Sequence, residues 1–175
     1  MSTSYNPGII ITSMLEEHVS AVFKLDRASF SLPWTERSYL FEVTQNENSI
    51  HLVALDTNPN TNEKLAGFIV VWAVEDEAHI GTIAVAEGFQ RRGVAQQLIS
   101  TALNKAVKRG AEKVFLEVRA GNIPAHNLYL KLGFVDFDLR KKYYVDNQED
   151  AIVMYLNPIN KELLHLAKNH QLNFK

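Results

Sequence analysis

The chain has 175 residues, 46% hydrophobic and 22% charged, with a net charge of -2. These values predict a single globular domain over 1–175 and argue against a general nucleic-acid binder. With no cysteine, the chain has no disulfide, no cysteine-based metal site and no cysteine acyl-enzyme. The polar stretch 1–7 is not a secretory signal, and apolar runs such as 68–74 are too short to span a bilayer, so we expect a cytoplasmic protein.

The first half of the chain predicts four strands and two helices. In chain order, these are a strand over 8–14, a helix from the capping-box pattern Ser13-x-x-Glu16 to about Ser29, a second helix after Pro33 from Thr35 to about Gln45, and strands over 49–56, 65–74 and 79–85, with a hairpin loop over 57–62.

The second half predicts two helices and three strands. The order β-α-α-β-β-β-α-β-α-β-β predicts an α/β fold with a mixed sheet of about seven strands and a helix inserted after the fourth. The tail 158–175 is expected to form a further amphipathic helix outside a core of about 9–156. The other elements are a helix over 93–109, a strand over 113–118, a helix over 124–132, and strands over 134–144 and 151–156.

A strand, a turn and an amphipathic helix follow one another over 80–109. The turn Gln90-Arg91-Arg92-Gly93-Val94-Ala95 precedes the helix, whose N-terminal N–H groups and dipole attract anionic phosphate. Gly93 lets a ligand approach the backbone. The turn is neither a Walker P-loop nor G-x-G-x-x-G. From these residues alone, a phosphate site and an ordinary turn with two solvated arginines are both open.

The turn Gln90-x-x-Gly93-x-Ala95 resembles the Q/R-x-x-G-x-G/A signature of GNAT acetyltransferases. The predicted strand order is also similar to that of the GNAT fold. The resemblance implies acetyl-CoA as co-substrate and a pyrophosphate site made by Gln90, Arg91, Arg92, Gly93, Val94 and Ala95.

A second stretch resembles a narrower group, the RimI-type enzymes. Residues 115–122, FLEVRAGN, with Leu128-Tyr129 and Leu132-Gly133-Phe134, resemble that group's LEVRxSNxxAxxLYxxxGF segment. The resemblance covers about 9–156. RimI-type enzymes acetylate the N-terminal alanine of small-subunit ribosomal protein eighteen, which implies a protein N-terminus as the acceptor. The chain departs from the family pattern at Thr82, Gly121 and Val145.

Glu117 is the expected general base. An α-amino group has a pKa of about 7.7–8.0, so a positioned base must take its proton. The resemblance gives Glu117 this role, and its place on a partly buried strand face leads us to expect a raised pKa. From the residue alone, the alternative is a solvated carboxylate or one paired with Arg119.

The resemblance also implies residues that contact CoA. It makes Tyr129 the general acid for the CoA thiolate and Asn122 a contact of the pantetheine arm. The alternatives are a core tyrosine and a helix N-cap. Ile83, Ala84 and Val85 match the strand whose backbone binds the pantetheine arm; by themselves they predict only a buried strand.

Four residues are candidates for contact with the acceptor peptide, namely Trp34, His79, Tyr143 and Tyr144. His79 begins the central strand and is an alternative base, or else a structural histidine. The two tyrosines are alternatively edge-strand aromatics. The six histidines show no metal-ligand spacing, so no metal is expected.

We therefore expect an acetyl-CoA-dependent N-acetyltransferase. Because no cysteine can carry the acetyl group, transfer should be direct, in a ternary complex. The partner is a protein N-terminus, as of a ribosomal protein, with no direct nucleic-acid or membrane contact, and the chain is expected to be a monomer or weak dimer. The alternatives are a GNAT enzyme acting on lysine, another N-terminus or a small amine, and a non-catalytic acyl-CoA sensor.

Overall fold

A mixed sheet of seven strands forms the centre of the fold. The computed structural model describes residues 8–60 and 64–160, and the predicted tail helix lies outside the described residues. The elements are β1 (Ile9–Ser13), α1 (Glu16–Ser29), α2 (Glu36–Thr44), β2 (Ser49–Asp56), β3 (Leu65–Val74), β4 (Glu77–Val85), a 3₁₀ turn (Glu87–Phe89), α3 (Val94–Lys108), β5 (Lys113–Arg119), α4 (Ile123–Lys131), β6 (Val135–Tyr144) and β7 (Glu149–Leu156).

The strands lie in the order β1-β2-β3-β4-β5-β7-β6. Every neighbouring pair is antiparallel except β4 and β5, which are parallel and are joined through α3. A parallel pair needs such a crossover connection, and α3 provides it. The predicted α/β class, the seven strands and the helix inserted after the fourth strand are confirmed.

Helices cover both faces of the sheet and define two cores. On one face α3 and α4 pack over the sheet, with Leu98, Leu103 and Tyr129 among the buried side chains. On the other face α1 and α2 bury Val22 and Tyr39 against β2, β3 and β4. Apolar strand residues are therefore buried on both faces at the sheet centre, as expected where helices cover both sides.

The start of α1 differs from the predicted capping box. Ser13 is the last residue of β1, and the helix begins at Glu16 with Leu15 in the N-cap position. The Leu15 backbone N–H donates to His18 Nδ1 at 2.9 Å. The predicted cap was wrong. His18, three residues after Leu15, has the role that the capping-box pattern gave to Glu16, three residues after Ser13. The cap of α2 follows the sequence, since Thr35 Oγ1 accepts from Ser38 N.

Strands β3 and β4 approach each other closely beside the 3₁₀ turn. A Cβ atom at Gly67 would lie 2.7 Å from the Ala84 carbonyl oxygen and 3.2 Å from Leu98 Cδ1. The nearest of these atoms is backbone, so it can move only if the two strands shift. A glycine is therefore required at this position by packing.

We predict that Gly67→Ala destabilises the fold by about 1–3 kcal/mol, the usual effect of overpacking. The control is Gly88→Ala, because an added Cβ at Gly88 meets nothing within 4 Å. Its effect should stay within about 0.5 kcal/mol. Urea denaturation of the wild type and both variants measures the change in the free energy of unfolding. Equal stability of the two variants would contradict the close approach at Gly67.

Candidate active site

The two parallel strands at the sheet centre separate part-way along their length. β4 pairs with β5 only where Glu77–Ile80 lies against Lys113–Leu116. Beyond this point β4 remains paired with β3, and β5 with β7. A cleft therefore opens between residues 81–85 of β4 and 117–119 of β5. Backbone groups that face the cleft have no neighbouring strand in the described sheet.

Ile83, Ala84 and Val85, the predicted contacts of the pantetheine arm, form the β4 wall of this cleft. The side chain of Ala84 is buried, and those of Ile83 and Val85 pack against the core on the α3 side. Gln90 Nε2 donates to the Val85 carbonyl oxygen at 3.2 Å, which ties the following turn to the strand. The wall is thus fixed by its side chains, and its backbone borders the cleft.

The turn before α3 contains two residues with left-handed backbone. Arg91 has φ 58° and Gly93 has φ 79°; a non-glycine residue in this region is uncommon and is typical of functional turns. Gly93 is the N-cap of the 15-residue α3 and has no side chain to cap the first N–H groups. Val94 is buried and Ala95 half-buried. The helix N-terminus therefore suits an anion.

The side chains of the turn place positive charge at its surface. Arg92 Cζ lies 5.0 Å from the centre of the Phe89 ring, and Arg92 Nη1 donates to the Gly88 carbonyl oxygen at 3.2 Å. Gln90 and Arg91 are exposed. Two guanidinium groups beside an uncapped helix N-terminus make an arrangement that binds phosphate groups.

Glu117, on the β5 wall, is held by two donors from other strands. His79 Nε2 lies 2.6 Å from Glu117 Oε2, and Arg140 Nη1 lies 2.7 Å from Glu117 Oε1. Only 13% of the Glu117 side chain is exposed. The alternative pairing with Arg119 is wrong, because Arg119 pairs with Asp146 in the β6–β7 turn and with Glu149 at the start of β7.

The pKa of Glu117 is lowered, which contradicts the predicted rise. The hydrogen bond from His79 is the largest cause, and the charges of His79 and Arg140 act in the same direction. Burial of the carboxyl group opposes them. The prediction considered burial without these two donors, which lie far away in the sequence. Glu117 is therefore ionised at neutral pH.

The geometry of the pair selects one tautomer of a neutral His79 side chain. An ionised carboxylate only accepts hydrogen bonds, so in the neutral imidazole Nε2 carries the proton and Nδ1 has the lone pair. The His79 side chain is 35% exposed, against 13% for Glu117. His79 is thus the accessible member of the pair, and Glu117 orients it from within.

Aromatic side chains hold His79 from the side. The Trp34 and Trp72 rings are stacked, with centres 5.7 Å apart and an angle of 8° between their planes, and Trp72 packs edge-to-face on His79 at 5.6 Å. Trp72 Nε1 donates to Glu42 Oε2 at 3.0 Å. A Cβ atom at Gly81 would lie 2.8 Å from the Trp72 ring, so the glycine makes room for it. Trp34 therefore reaches the Glu117–His79 pair through its contact with Trp72, which in turn contacts His79.

Three of these contacts were missed by the sequence analysis. Trp72 is the register partner of His79 across the β3–β4 hairpin. The turn that produces this pairing is Glu75-Asp76, whereas the predicted strands 65–74 and 79–85 are four residues apart and would pair Trp72 with Gly81 instead. Glu42 and Arg140 reach the site from α2 and β6, and no local pattern marks them.

Asn122 is the N-cap of α4, and Tyr129 lies in the C-terminal half of the same helix. Tyr129 is buried in the core on the α3 side, with its ring edge-to-face on Phe134 at 5.6 Å. Burial raises the pKa of its phenol, and the nearby Tyr144 adds to the rise. Tyr129 therefore keeps its proton at neutral pH. Asn122 Oδ1 accepts from Ala125 N at 3.2 Å, which confirms the N-cap interpretation.

Tyr143 and Tyr144 lie beside two arginines on the same side as His79. Arg140 Cζ lies 5.5 Å from the centre of the Tyr143 ring, and Arg119 Cζ lies 3.8 Å from that of Tyr144. The two tyrosine rings meet edge-to-face at 5.2 Å. Burial raises the pKa of Tyr144 to about 12. The predicted acceptor contacts Trp34, Tyr143 and Tyr144 thus surround the Glu117 pair, whereas Tyr129 approaches from the other face.

Two further observations concern residues 8–60 and 64–160. No group of three His, Asp or Glu side chains there lies close enough to hold a metal ion. No helix in these ranges is long and apolar enough to cross a membrane. The polar groups that surround the cleft are backbone N–H groups, arginines and the Glu117–His79 pair.

This arrangement is similar in sequence and fold to that of known acetyltransferases. Residues 19–134 match the acetyltransferase (GNAT) family. The chain belongs to this family.

Three relatives show how far the likeness of this GNAT chain extends. The putative ribosomal protein bS18-alanine N-acetyltransferase of Bacillus subtilis is 32% identical over 146 residues, 83% of this chain and 93% of that one. The crystal structure of the ribosomal-protein-S18-alanine N-acetyltransferase from Escherichia coli matches with a TM-score of 0.74 and 32% identity, over 87% of this chain and 94% of the other. A chain of the NatC complex bound to Gag peptide and CoA matches with a TM-score of 0.76 and 26% identity, over 86% and 98%.

The GNAT fold, the N-acetyltransferase activity and acetyl-CoA as the acetyl donor are thereby confirmed. The alternative of a non-catalytic acyl-CoA sensor is set aside. The chain is an acetyl-CoA-dependent N-acetyltransferase of the GNAT family.

We predict that the Glu117 pair makes stability depend on pH. The folded-state pKa of Glu117 lies below its ordinary value of 4.5, so its ionisation stabilises the fold above that pH and the effect is lost as pH falls through the folded-state pKa. Urea denaturation should show a free-energy difference between wild type and Glu117→Gln that shrinks as pH falls below about 4.5. The exposed Glu112, changed to Gln, should show no such trend. A difference that grows in acid would contradict the lowered pKa.

Proposed function

We propose that this GNAT enzyme acetylates a protein N-terminal α-amino group in the cytoplasm, and that its acceptor is the N-terminal alanine of ribosomal protein bS18. The observation that supports this most strongly is the likeness to two proteins named for that activity, over nearly their whole length. The half-buried His79 beside the ionised Glu117, with aromatic side chains around it, is a suitable place for an incoming amine.

The donor side of the cleft fits acetyl-CoA. The uncapped N-terminus of α3, with Arg91 and Arg92, suits the pyrophosphate, and Gln90, Val94 and Ala95 complete the turn. The β4 backbone over 83–85 suits the amide groups of the pantetheine arm, with Asn122 opposite. Acetyl-CoA supplies the thioester-bound acetyl group. The chain's own residues bind and orient it.

On the acceptor side, we propose that the Glu117–His79 pair accepts the proton of the α-ammonium group. The pair replaces a lone Glu117 as the expected base, because both carboxylate oxygens of Glu117 already accept hydrogen bonds. His79 Nδ1 presents its lone pair, and the ionised Glu117 stabilises the imidazolium that forms. Arg140 fixes the other oxygen of Glu117, so the carboxylate cannot rotate away from His79.

Tyr129 is the proposed acid for the departing thiolate. Its raised pKa keeps the phenol protonated at neutral pH, so the hydroxyl can donate a hydrogen bond to the departing thiolate sulfur. Tyr129 approaches from the α3 face, opposite the Glu117 pair. Proton acceptor and proton donor thus lie on opposite faces of one cleft, which suits direct transfer from donor to acceptor in a ternary complex.

We predict that the purified enzyme prefers a peptide with the bS18 N-terminal sequence. Release of free CoA from acetyl-CoA is measured with this peptide, with a version whose first alanine is leucine, with an Nα-blocked version that carries an internal lysine, and with a small polyamine. A pocket that selects a small first side chain should give about tenfold or more higher kcat/KM for alanine over leucine. Turnover confined to lysine or the polyamine would support the alternative acceptor classes and refute the bS18 assignment.

We predict that His79→Gln and Glu117→Gln each lower kcat/KM at pH 7 by about 100-fold or more, the range for loss of a positioned base. The double variant should be little worse than either single variant, since the two residues act as one unit. All three defects should shrink at about pH 9, because the α-amino group, with a pKa of about 7.7–8.0, is already neutral there.

The matched control for these variants is His126→Gln. His126 Nε2 lies 2.7 Å from Asp136 Oδ1, a histidine–carboxylate contact of the same kind that joins α4 to β6. Near-normal turnover is expected. If His79→Gln retains normal turnover while Glu117→Gln does not, Glu117 alone is the base and the pair is refuted.

A further inference from the structure

Arg119, at the end of β5, is the centre of a second hydrogen-bonded cluster. Its Nη1 donates to Asn147 Oδ1 at 3.1 Å and to Glu149 Oε2 at 3.2 Å. Its Nη2 donates to Ser31 Oγ at 3.1 Å and to Asp146 Oδ2 at 2.9 Å. Each terminal nitrogen carries two hydrogens, so all four are engaged.

This cluster joins three segments that are distant in the sequence. Ser31 Oγ also hydrogen-bonds to Asp146, and this bond links the segment between α1 and α2 directly to the turn between β6 and β7. Gly121 N donates to Glu149 Oε1 at 2.7 Å. A Cβ atom at Gly121 would lie 2.8 Å from the same oxygen, so the glycine makes room for the carboxylate. The joined segments are 30–35 between α1 and α2, 120–122 after β5, and 144–149, which runs from the last residue of β6 to the first residue of β7.

The cluster borders the acceptor side of the cleft. Trp34 lies in segment 30–35, and Tyr144 begins segment 144–149; we call these two segments the acceptor rim. Arg119 follows Glu117 by two residues along β5, so the two side chains lie on the same face of the sheet. The guanidinium carbon is 3.8 Å from the centre of the Tyr144 ring. Arg119 thus contacts both halves of the acceptor rim.

We propose that Arg119 is a positioning residue that joins the two halves of the acceptor rim and fixes Tyr144, so that the acceptor peptide meets a preformed opening. This inference rests on the proposed function, since it assigns the rim to the acceptor. Arg119 acts through Ser31, Tyr144 and Asp146. Preforming a binding surface removes the entropic cost of ordering its loops when the peptide binds, and this improves affinity for the peptide.

The chemistry of the cluster requires an arginine. A planar guanidinium can bind two carboxylates, an amide and a hydroxyl at once and still lie against an aromatic ring, whereas a lysine offers one compact charge. The Ser31 hydroxyl and Arg119 lower the pKa of Asp146, and the Gly121 N–H, Asn147 and Arg119 lower that of Glu149. Both carboxylates are therefore ionised at neutral pH and balance the charge of the arginine.

The test combines hydrogen exchange with steady-state kinetics on Arg119→Met, Arg119→Lys and Ser31→Ala. In the enzyme without substrates, Arg119→Met should speed amide exchange in 30–35 and 144–149. It should raise the KM for the bS18 peptide about tenfold or more while the KM for acetyl-CoA stays within about twofold. Arg119→Lys should recover part of the loss, and Ser31→Ala, which removes a single link, should show the same changes to a smaller extent.

The matched control is Lys113→Met at the opposite end of β5. Lys113 is also a cation bonded to two carboxylates, with Nζ 3.1 Å from Asp76 and 3.9 Å from Glu77. Because it lies away from the rim, its loss should leave both KM values and rim exchange unchanged. This control separates the position of Arg119 from the general effect of removing a half-buried cationic side chain from one end of β5.

Two results would overturn the role of Arg119. One is unchanged exchange in the rim of Arg119→Met and Ser31→Ala. The other is faster exchange with equal changes in the KM values of both substrates, which is the behaviour of a purely structural residue. Failure of the unmodified enzyme to acetylate any peptide would instead refute the proposed function, and this would be visible before any variant is made.

Discussion

The separation of β4 from β5 is the constraint on which the rest of the site depends. The last pair between the two strands joins Ile80 and Leu116, and the next β4 residue, Gly81, is the extra residue of a bulge against β3. A bulge bends its strand, so the bend coincides with the point where the parallel pairing ends. One backbone irregularity thereby frees hydrogen-bonding groups on both walls, gives the Trp72 ring its space and directs β4 into the turn that starts α3.

The electrostatics of Glu117 follow from this opening. A carboxylate with 13% exposure would be raised in pKa by burial alone, yet hydrogen bonds from His79 and Arg140 lower it. Both donors can reach the Glu117 carboxylate because β5 is no longer paired with β4 at this point. The His79 side chain reaches it from β4, and the Arg140 side chain reaches it from β6. A buried charge with two hydrogen-bonded partners is suited to orient a histidine, and poorly suited to take up a proton itself.

Local signals predicted the strand, turn and helix over 83–95, but they did not predict the contacts around Glu117. The strand over 83–85, the turn and the start of α3 are consecutive, so periodicity, Gly93 and the two arginines marked them together. The strands of the sheet were also predicted to within about two residues. By contrast, the surroundings of Glu117 come from β3, β4, β6, α2 and the segment after α1. Only tertiary packing brings them together, and the sign of the Glu117 pKa shift was wrong for that reason.

This difference in construction has a consequence for the enzyme as a whole. In the ternary-complex mechanism that we propose, no cysteine stores the acetyl group, and donor and acceptor are held at the same time on the two sides of the cleft between β4 and β5. The proposed donor side is built from the backbone of β4, the turn after it and α3. The acceptor side is made of loop segments, and its geometry depends on side-chain contacts such as those of Arg119 with Ser31 and Asp146. Substitutions at those contacts can alter acceptor binding while the chemistry at the cleft is unchanged.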